Sequence, residues 1–166
     1  MGATGDNVAY IDPIEFRKAA GQFMTGVTVV TTRDDEGDWH GLTANSFTSV
    51  SLDPPMVLVC IGDDTSTVEA FSDGNGFVVH VLTESQRDVS VQFAAKGLDR
   101  FEGLEVSLGH NDLPVLSGAL ATFECSLAQV HEGGDHLIFV GTVERLTVGD
   151  TGAPALGYFR GRYISS

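Results

Sequence analysis

A run of short polar side chains between Gly41 and Pro55, GLTANSFTSVSLDPP, is the part of the sequence best suited to bind a ligand. Its members with a hydroxyl or amide group are Thr43, Asn45, Ser46, Thr48, Ser49 and Ser51. Such groups form hydrogen bonds without bulk, and Gly41 and Ala44 leave room for a ligand to approach the backbone. The pattern favours a flat ligand with heteroatoms on its rim. An equally consistent interpretation is a Ser/Thr-rich barrel strand whose hydroxyls hydrogen-bond to neighbouring strands.

Several familiar catalytic and binding motifs are absent from the sequence. It has no G-x-G-x-x-G segment after a strand, no P-loop and no nucleophile elbow, and the glycines of SDGNGF are typical of a simple turn. The histidines lack metal-like spacing; they are His40, His80, His110, His131 and His136. We therefore expect no metal site, and hydrolase and metalloenzyme functions are disfavoured.

The charge of the chain limits its partners. Nine Lys and Arg residues stand against 23 Asp and Glu residues, for a formal net charge of −14. This charge repels nucleic acid and anionic membranes unless the few cations are gathered into one patch. We expect no nucleic-acid partner, and an anionic ligand would need some of these nine cations, or backbone and hydroxyl donors.

The apolar segments indicate a protein of the cytoplasm. No apolar run approaches the length of a bilayer span, and the first residues lack an apolar signal core, so we expect no membrane partner. Cys60 and Cys125 lie inside apolar runs and are expected to be buried, inert thiols, although the sequence leaves a disulfide between them open.

A helix is expected before the polar stretch. Asp12 is suited to cap its N-terminus, and Pro13 fits its first turn. The helix should end at Gly26. Its apolar side chains recur at helical spacing and must pack on another surface; they are Phe16, Ala19, Ala20 and Phe23.

About six strands should follow, with one or two further helices between them. The strand candidates are VTVVTT with WHGLTA as a hairpin, FTSVSL, MVLVCI, FVVHVL, ALATFECSLAQVH, HLIFVGTVERLTV and LGYFRGRYI. The helix candidates are a short segment from about Ser66 and ESQRDVSVQFAAKG. Because hairpins and irregular connections join most strands, an antiparallel barrel is favoured over a parallel doubly wound sheet.

Seven segments between Phe16 and Ile164 form a recognisable series. They are GVTVVTT, GLTANSFTSVSLDPPMVLVCI, FVVHVLTESQ, FA before RFEG, LSGALATFECSL, GGDHLIFVGTVE and LGYFRGRYI. In this unbroken order they resemble the flavin reductase-like domain family. Within it they are most similar to the small NAD(P)H-dependent flavin reductase components of two-component monooxygenases.

The resemblance implies an antiparallel split β-barrel of the FMN-binding, Greek-key type, which forms a homodimer. Residues 13–166 would make up this single domain, and residues 1–12 an N-terminal tail. The implied reaction is hydride transfer from NADH or NADPH to FMN or FAD, after which the reduced flavin leaves for a separate flavin-dependent monooxygenase.

The resemblance also assigns site residues. Flavin contacts are implied at the isoalloxazine edge, on the phosphate side and at a basic–aromatic pair; they fall on Thr43, Ala44, Asn45, Ser46, Ser51, Ser66, Thr67, Arg100 and Phe101. The positions near the nicotinamide are His136, Tyr158 and Arg160, of which His136 is the candidate catalytic residue. The cofactor supplies the reactive chemistry, which agrees with the absence of a catalytic triad.

Two departures from the family pattern affect the expected site. His80 stands where an Asn is expected, and it either contacts the flavin or is merely tolerated. Asp63 and Asp64 stand where many relatives have a basic residue, so a flavin phosphate would rely on Ser66, Thr67 and backbone N–H groups. Weak flavin binding is therefore expected, as suits a substrate.

The sequence leaves some choices open. An alternative function is a non-catalytic or electron-carrying protein of the same barrel that keeps FMN bound. In a further alternative, the bound flavin acts on a different acceptor. FMN against FAD, and NADH against NADPH, also remain undecided at this point.

Overall fold

The computed structural model describes residues 10–65 and 67–165. Within them the strands are β1 (Thr25–Gly26), β2 (Thr28–Arg33), β3 (Trp39–Ala44), β4 (Thr48–Leu52), β5 (Pro55–Gly62), β6 (Gly76–Val81), β7 (Val106–Leu108), β8 (Pro114–Leu116), β9 (Ala121–Glu132), β10 (His136–Val148), β11 (Leu156–Phe159) and β12 (Arg162–Ser165). The helices are α1 (Pro13–Ala20), α2 (Val68–Asp73) and α3 (Arg87–Ala94). The predicted mainly β, antiparallel architecture is confirmed. The proposed tail, residues 1–12, lies largely outside the described residues.

The main sheet has seven antiparallel strands in the order β3-β2-β6-β9-β10-β5-β4. Its longest ladder joins β9 to β10, two of the predicted strands, which form a hairpin around the EGGD turn. A three-stranded sheet, β1-β11-β12, and a two-stranded sheet, β7-β8, lie outside this main sheet. The chain thus reaches the polar stretch through β3 and returns through β5, which pairs with β10.

The central strands are buried on both faces, as their continuous apolar sequences require. Neighbouring side chains of β2 point to opposite sides, so Val30 packs in one core with Phe77 and Phe139. Val29 packs in a second core with Phe93, on the side of α3 and β11. The two cores hold β2, and with it the β2–β3 pair, in a fixed position.

Helix α1 is shorter than predicted. Asp12 caps it as expected, and its carboxylate accepts a hydrogen bond from Ile14 N at 2.7 Å. The helix nevertheless ends at Ala20 rather than Gly26, because Gly21 caps its C-terminus and Thr25 pairs with β11. Its apolar side chains are exposed in the single chain, including Phe16 at 64%.

The later elements include one correction and two features that the sequence did not show. LGYFRGRYI is a hairpin rather than one strand, because Arg160 and Gly161 both adopt left-handed φ angles, of 50° and 76°, and reverse the chain. The segment before Ser117 contains the short strands β7 and β8, which are joined by a single 3-10 turn at His110–Asp112. On α3, Phe93 is buried in the core, whereas Ala94 is exposed.

Candidate functional site

Three strand ends meet at the polar stretch and form a cleft of about 510 Å³. Strand β3 ends at Ala44, β5 ends at Gly62, and β10 begins at His136, which pairs with Gly62. The segment from Thr43 to Ser46 lines one wall, and the turn after β5 lines another. The structure therefore brings the predicted flavin-edge residues and the candidate catalytic histidine to one cleft.

Two of the hydroxyls in this wall hold the fold together. Thr43 Oγ1 donates to Ser90 O on α3 at 2.6 Å. Ser46 Oγ donates to Cys60 O at 2.8 Å and accepts from Cys60 N at 3.0 Å, which ties the chain before β4 to β5. A hydroxyl whose hydrogen is already donated cannot donate it to a ligand as well. For Thr43 and Ser46, the interpretation as structural hydroxyls is therefore favoured.

Asn45 lies at the junction of three depressions. It is exposed and donates from its amide to Thr25 Oγ1 at 3.2 Å. Besides the main cleft, it lines a depression of about 240 Å³ with Tyr158 and another of about 370 Å³ with Tyr158 and Arg160. Ala44, which is 9% exposed, lies beside it. Tyr158 and Arg160 are thus adjacent to the cleft through Asn45, although they do not line it.

His136 is half-exposed at the mouth of the cleft. Its Nδ1 lies 2.7 Å from Asp135 Oδ1, and this hydrogen bond is the main reason why the pKa of Asp135 is lowered. Its Nε2 lies 3.9 Å from the position that a Cβ on Gly62 would occupy. The carboxylate orients the imidazole, so that the second nitrogen is placed against the cleft wall.

The outer part of the cleft is acidic. Asp63, Asp64 and Asp135 are exposed and line it, whereas Arg17 is the cation among the lining residues that the structure describes. The main chain supports this arrangement, because Asp63 N donates to Asp135 O at 3.2 Å. A phosphate placed among these three carboxylates would be repelled. Asp63 and Asp64 thus line the cleft, and their conflict with a flavin phosphate stays a prediction.

The predicted phosphate side lies just after this turn. Thr67 occupies the N-cap position of α2 and is 6% exposed, but its hydroxyl has no hydrogen-bond partner among the described residues. A buried hydroxyl without a partner costs free energy, on the order of 1–3 kcal/mol. Ser66 lies outside the described residues. The neighbouring Thr65 lines the cleft and donates to Gly62 O at 2.9 Å.

Three of the predicted site residues lie outside the cleft, namely Arg100, Phe101 and Ser51. The Arg100 guanidinium donates to Ala95 O from Nε at 3.1 Å and to Gly41 O from a terminal nitrogen. Burial also lowers the pKa of Arg100. Phe101 packs edge-on against Phe93, with ring centroids 5.1 Å apart. Ser51 lies in β4 and accepts from Asp53 N at 3.2 Å. None of the three is among the lining residues of the cleft.

Sequence reasoning missed Arg17, Cys60 and Asp135 at the cleft. Asp135 was detectable, because it precedes the candidate histidine and can bond to its ring. Cys60 is partly exposed rather than buried, because alternate residues of β5 face the cleft. Cys125 is buried as expected, which raises the pKa of its thiol to about 12. Both cysteines are free.

The described residues form neither a metal-ligating cluster nor a membrane-spanning helix. No group of three or more His, Cys, Asp and Glu residues in this part of the chain could hold a metal ion. Its helices are also all too short or too polar to span a membrane.

Comparison with known proteins gives the same family throughout. The flavin reductase like domain matches residues 20–165. The chain is 46% identical to the reductase component of a flavin-dependent trigonelline monooxygenase from Acinetobacter baylyi, over 91% of this chain and 48% of that protein. It is 40% identical to the flavin-dependent monooxygenase reductase subunit HsaB of Mycobacterium tuberculosis, over 93% of this chain and 83% of that protein.

A solved structure agrees in fold. The NADH:FAD oxidoreductase SgcE6 of Streptomyces globisporus superposes with a TM-score of 0.85 at 37% identity, and the match covers 95% of this chain and 96% of that one. The split-barrel prediction is thereby confirmed. The chain belongs to the flavin reductase-like domain family. It spans about half the length of the trigonelline relative.

Proposed function

We propose that this protein is an NAD(P)H:flavin oxidoreductase that supplies reduced FMN or FAD to a separate flavin-dependent monooxygenase. The observation that carries the proposal is the meeting of Ala44, Asn45 and His136 at one cleft formed by three strand ends. Two relatives with this domain are reductase components of monooxygenases, which supports the choice of partner.

The cleft suits an isoalloxazine ring. Gly62 contributes no side chain to the wall, and a Cβ there would lie 3.1 Å from Asp64 Oδ1. The hydroxyl of Thr67, which has no hydrogen-bond partner among the described residues, could donate to or accept from a ligand on the predicted phosphate side. Thr67 is buried in the single chain, so its hydroxyl must become more exposed before it contacts a ligand. With that adjustment the residues fit a flavin.

The protein's own groups position the reactants. The flavin, when bound, accepts the hydride of the reduced nicotinamide. Asn45 and the backbone near Ala44 and Gly62 would hold the ring, while Thr43 and Ser46 keep the surrounding strands in place. His136, oriented by Asp135, would contact the nicotinamide or the flavin edge through its second ring nitrogen. Tyr158 and Arg160 would line the nicotinamide side.

We also propose that the enzyme is a cytoplasmic homodimer. Phe16 and Phe23, at 64% and 77% exposed, form an uncovered apolar surface on and after α1. Large exposed apolar side chains in one region are typical of an interface. Light scattering of the purified protein should give twice the mass of the chain. A monomer at micromolar concentration would contradict this part of the proposal.

The test of the reaction is anaerobic. The protein is mixed with excess FMN or FAD and with NADH or NADPH, and the visible absorbance of oxidised flavin is followed. Bleaching of many flavins per protein supports a reductase with a diffusible product, and the four pairings identify its preferred substrates. Flavin binding without bleaching in any pairing would instead indicate a protein that keeps its flavin and takes electrons from another donor.

A further inference from the structure

A pocket beside the cleft is lined by three cations. Its volume is about 380 Å³, and its charged members are Arg17 and Lys18 from the last turn of α1 and Arg160 from the turn between β11 and β12. Gln22 also lines it, and no carboxylate does so among the described residues. Three of the protein's nine cations therefore converge on one pocket, although the chain has 23 acidic residues that could have neutralised them.

Helix chemistry explains only part of this cluster. Cations in the last turn of a helix interact favourably with its dipole, which accounts for Arg17 and Lys18. It does not explain Arg160, which comes from the other end of the chain. Bringing a third like charge to the same pocket costs electrostatic free energy unless an anion binds there. Asp135 balances Arg17 in part, since Arg17 makes a small contribution to its lowered pKa.

Arg160 is held in position before any ligand binds. Its Nε donates to Gln22 Oε1 at 2.9 Å, and its guanidinium lies 4.8 Å from the centroid of the Phe159 ring. Its backbone N–H donates to Gly21 O at 3.0 Å, which fixes the hairpin turn against the end of α1. A planar guanidinium with a fixed direction loses less entropy when it binds a phosphate in a bidentate manner.

The cationic pocket is continuous with the reaction cleft. Arg17 lines the pocket, the main cleft and the depression that also contains Asn45 and Tyr158. A ligand with one end near Asn45 can therefore extend along this surface and place a charged group against Arg17. A ligand that extended from Asn45 towards Asp63 and Asp64 instead would bring its phosphates against two carboxylates, which is unfavourable.

We propose that Arg17, Lys18 and Arg160 bind the pyrophosphate of an ADP moiety. Both FAD and the reduced nicotinamide dinucleotides contain this moiety, whereas FMN does not. The anion site follows from the charge and geometry of the pocket, and the choice of ADP rests on the proposed function. The pocket thus supplies the positive charge that the 63–67 turn lacks.

Direct binding is the first test. Calorimetry measures the affinity of the whole protein for 5′-ADP and for adenosine, which lacks the phosphates. Lys18→Gln with Arg160→Gln should weaken ADP binding by at least about 10-fold, since each lost charged contact is worth more than a neutral one. Arg145→Gln is the matched control, because Arg145 is an exposed cation on β10 outside this pocket, and it should change the affinity less than about 2-fold. All variants should remain folded, with melting temperatures within a few degrees of the wild type, since the contacts that the substituted side chains lose lie at the exposed surface.

Kinetics then identify the source of the moiety. With FMN as acceptor, a raised KM for NADH or NADPH in the double variant assigns the pocket to the nicotinamide dinucleotide. A raised KM for FAD with unchanged values for FMN and NADH assigns it to FAD. Either result supports the site, because both ligands present the same pyrophosphate.

The outcomes separate this inference from the proposed function. Flavin reduction by a wild-type protein that does not bind ADP, or equal losses in the double variant and Arg145→Gln, would overturn the pocket and leave the reductase standing. Specific loss of ADP binding in a protein that reduces no flavin would support the pocket and reject the reductase.

Discussion

The buried imidazole of His80 accepts a hydrogen bond from the backbone N–H of Leu116 at 3.0 Å. Its other nitrogen, Nδ1, lies 3.0 Å from the carbonyl of Val29 and must therefore donate its hydrogen. Only the neutral ring with a hydrogen on Nδ1 makes both bonds, and complete burial lowers the pKa of His80 to about 4. His80 thus joins β6 to β2 and to β8 in the core.

Stability should fall in acid because of His80. Its pKa is depressed in the folded state, from 6.5 to about 4, so the unfolded chain binds more protons between these pH values. The contribution of neutral His80 to the free energy of unfolding is fully present above pH 6.5 and is lost as the pH falls towards 4. A shift of this size corresponds to about 3 kcal/mol in the free energy of unfolding. Urea unfolding at several pH values between 7.5 and 4.5 measures it.

The variant His80→Asn distinguishes the contribution of His80 to the pH dependence of stability from that of the Asp and Glu residues. It leaves Leu116 N without its acceptor, so it should cost roughly 1–3 kcal/mol at pH 7.5. The difference from the wild type should shrink as the pH falls, because Asn does not titrate. His131→Asn, the same change at an exposed position of β9, should leave the wild-type pH dependence intact. A constant difference between His80→Asn and the wild type at every pH would contradict the prediction.

The wall of the cleft should divide into structural and binding residues. Ser46→Ala removes both bonds to Cys60 and should lower the free energy of unfolding by about 1–3 kcal/mol. Asn45→Ala should have a smaller effect on unfolding and should weaken flavin binding, because Asn45 is exposed at the junction of the depressions. Chemical unfolding and flavin fluorescence titration measure the two quantities. The assignment fails if Ser46→Ala is as stable as the wild type.

Arg100 should act through the fold rather than by contact with the flavin. Its guanidinium donates to Ala95 O and Gly41 O, and it thereby fixes the chain after α3 against β3. Arg100→Ala should therefore destabilise the protein by roughly 1–3 kcal/mol, and its loss of flavin affinity should be smaller at low temperature, where the variant is fully folded. If Arg100→Ala lost much of its flavin affinity at unchanged stability, a direct contact between Arg100 and the flavin would be supported instead.

The family and the antiparallel barrel were accessible from the sequence, as was the polar segment around Asn45, which combines small polar residues with a strand end. The order of the strands in the main sheet was not predicted. Neither were the roles of the residues within the segment. The sequence cannot distinguish a hydroxyl that contacts a ligand from one that, like that of Thr43, donates to a backbone carbonyl 47 residues away in the chain. The role of His80 also depends on long-range partners, because its hydrogen bonds are made with β2 and β8. The position of Arg160 was not predicted, because its turn lies inside a segment that resembles one continuous strand.

Gly62 should be required for ligand access but not for folding. A Cβ there would lie 3.1 Å from Asp64 Oδ1, which belongs to an exposed and movable side chain, so Gly62→Ala should fold normally. The added methyl group would narrow the cleft beside His136 and should weaken flavin binding severalfold. Gly26→Ala is the control, because a Cβ at Gly26 meets nothing within 4 Å and lies outside the cleft. Equal flavin affinity in both variants would argue against an isoalloxazine ring bound at the cleft wall beside Gly62.

His136 should affect the reduction step more than flavin binding. Asp135 orients its imidazole, and the free nitrogen lies at the wall that Gly62 leaves open. His136→Ala should slow anaerobic flavin reduction by about 10-fold or more, through loss of a positioning contact, and should change flavin affinity much less. His131→Ala, which removes an exposed histidine bonded to Gln129 on β9, should leave both quantities unchanged. Stopped-flow absorbance gives the reduction rate, and fluorescence titration gives the affinity. If His136→Ala lowered the affinity as strongly as the rate, the residue would belong to the flavin subsite and the nicotinamide would have to bind elsewhere.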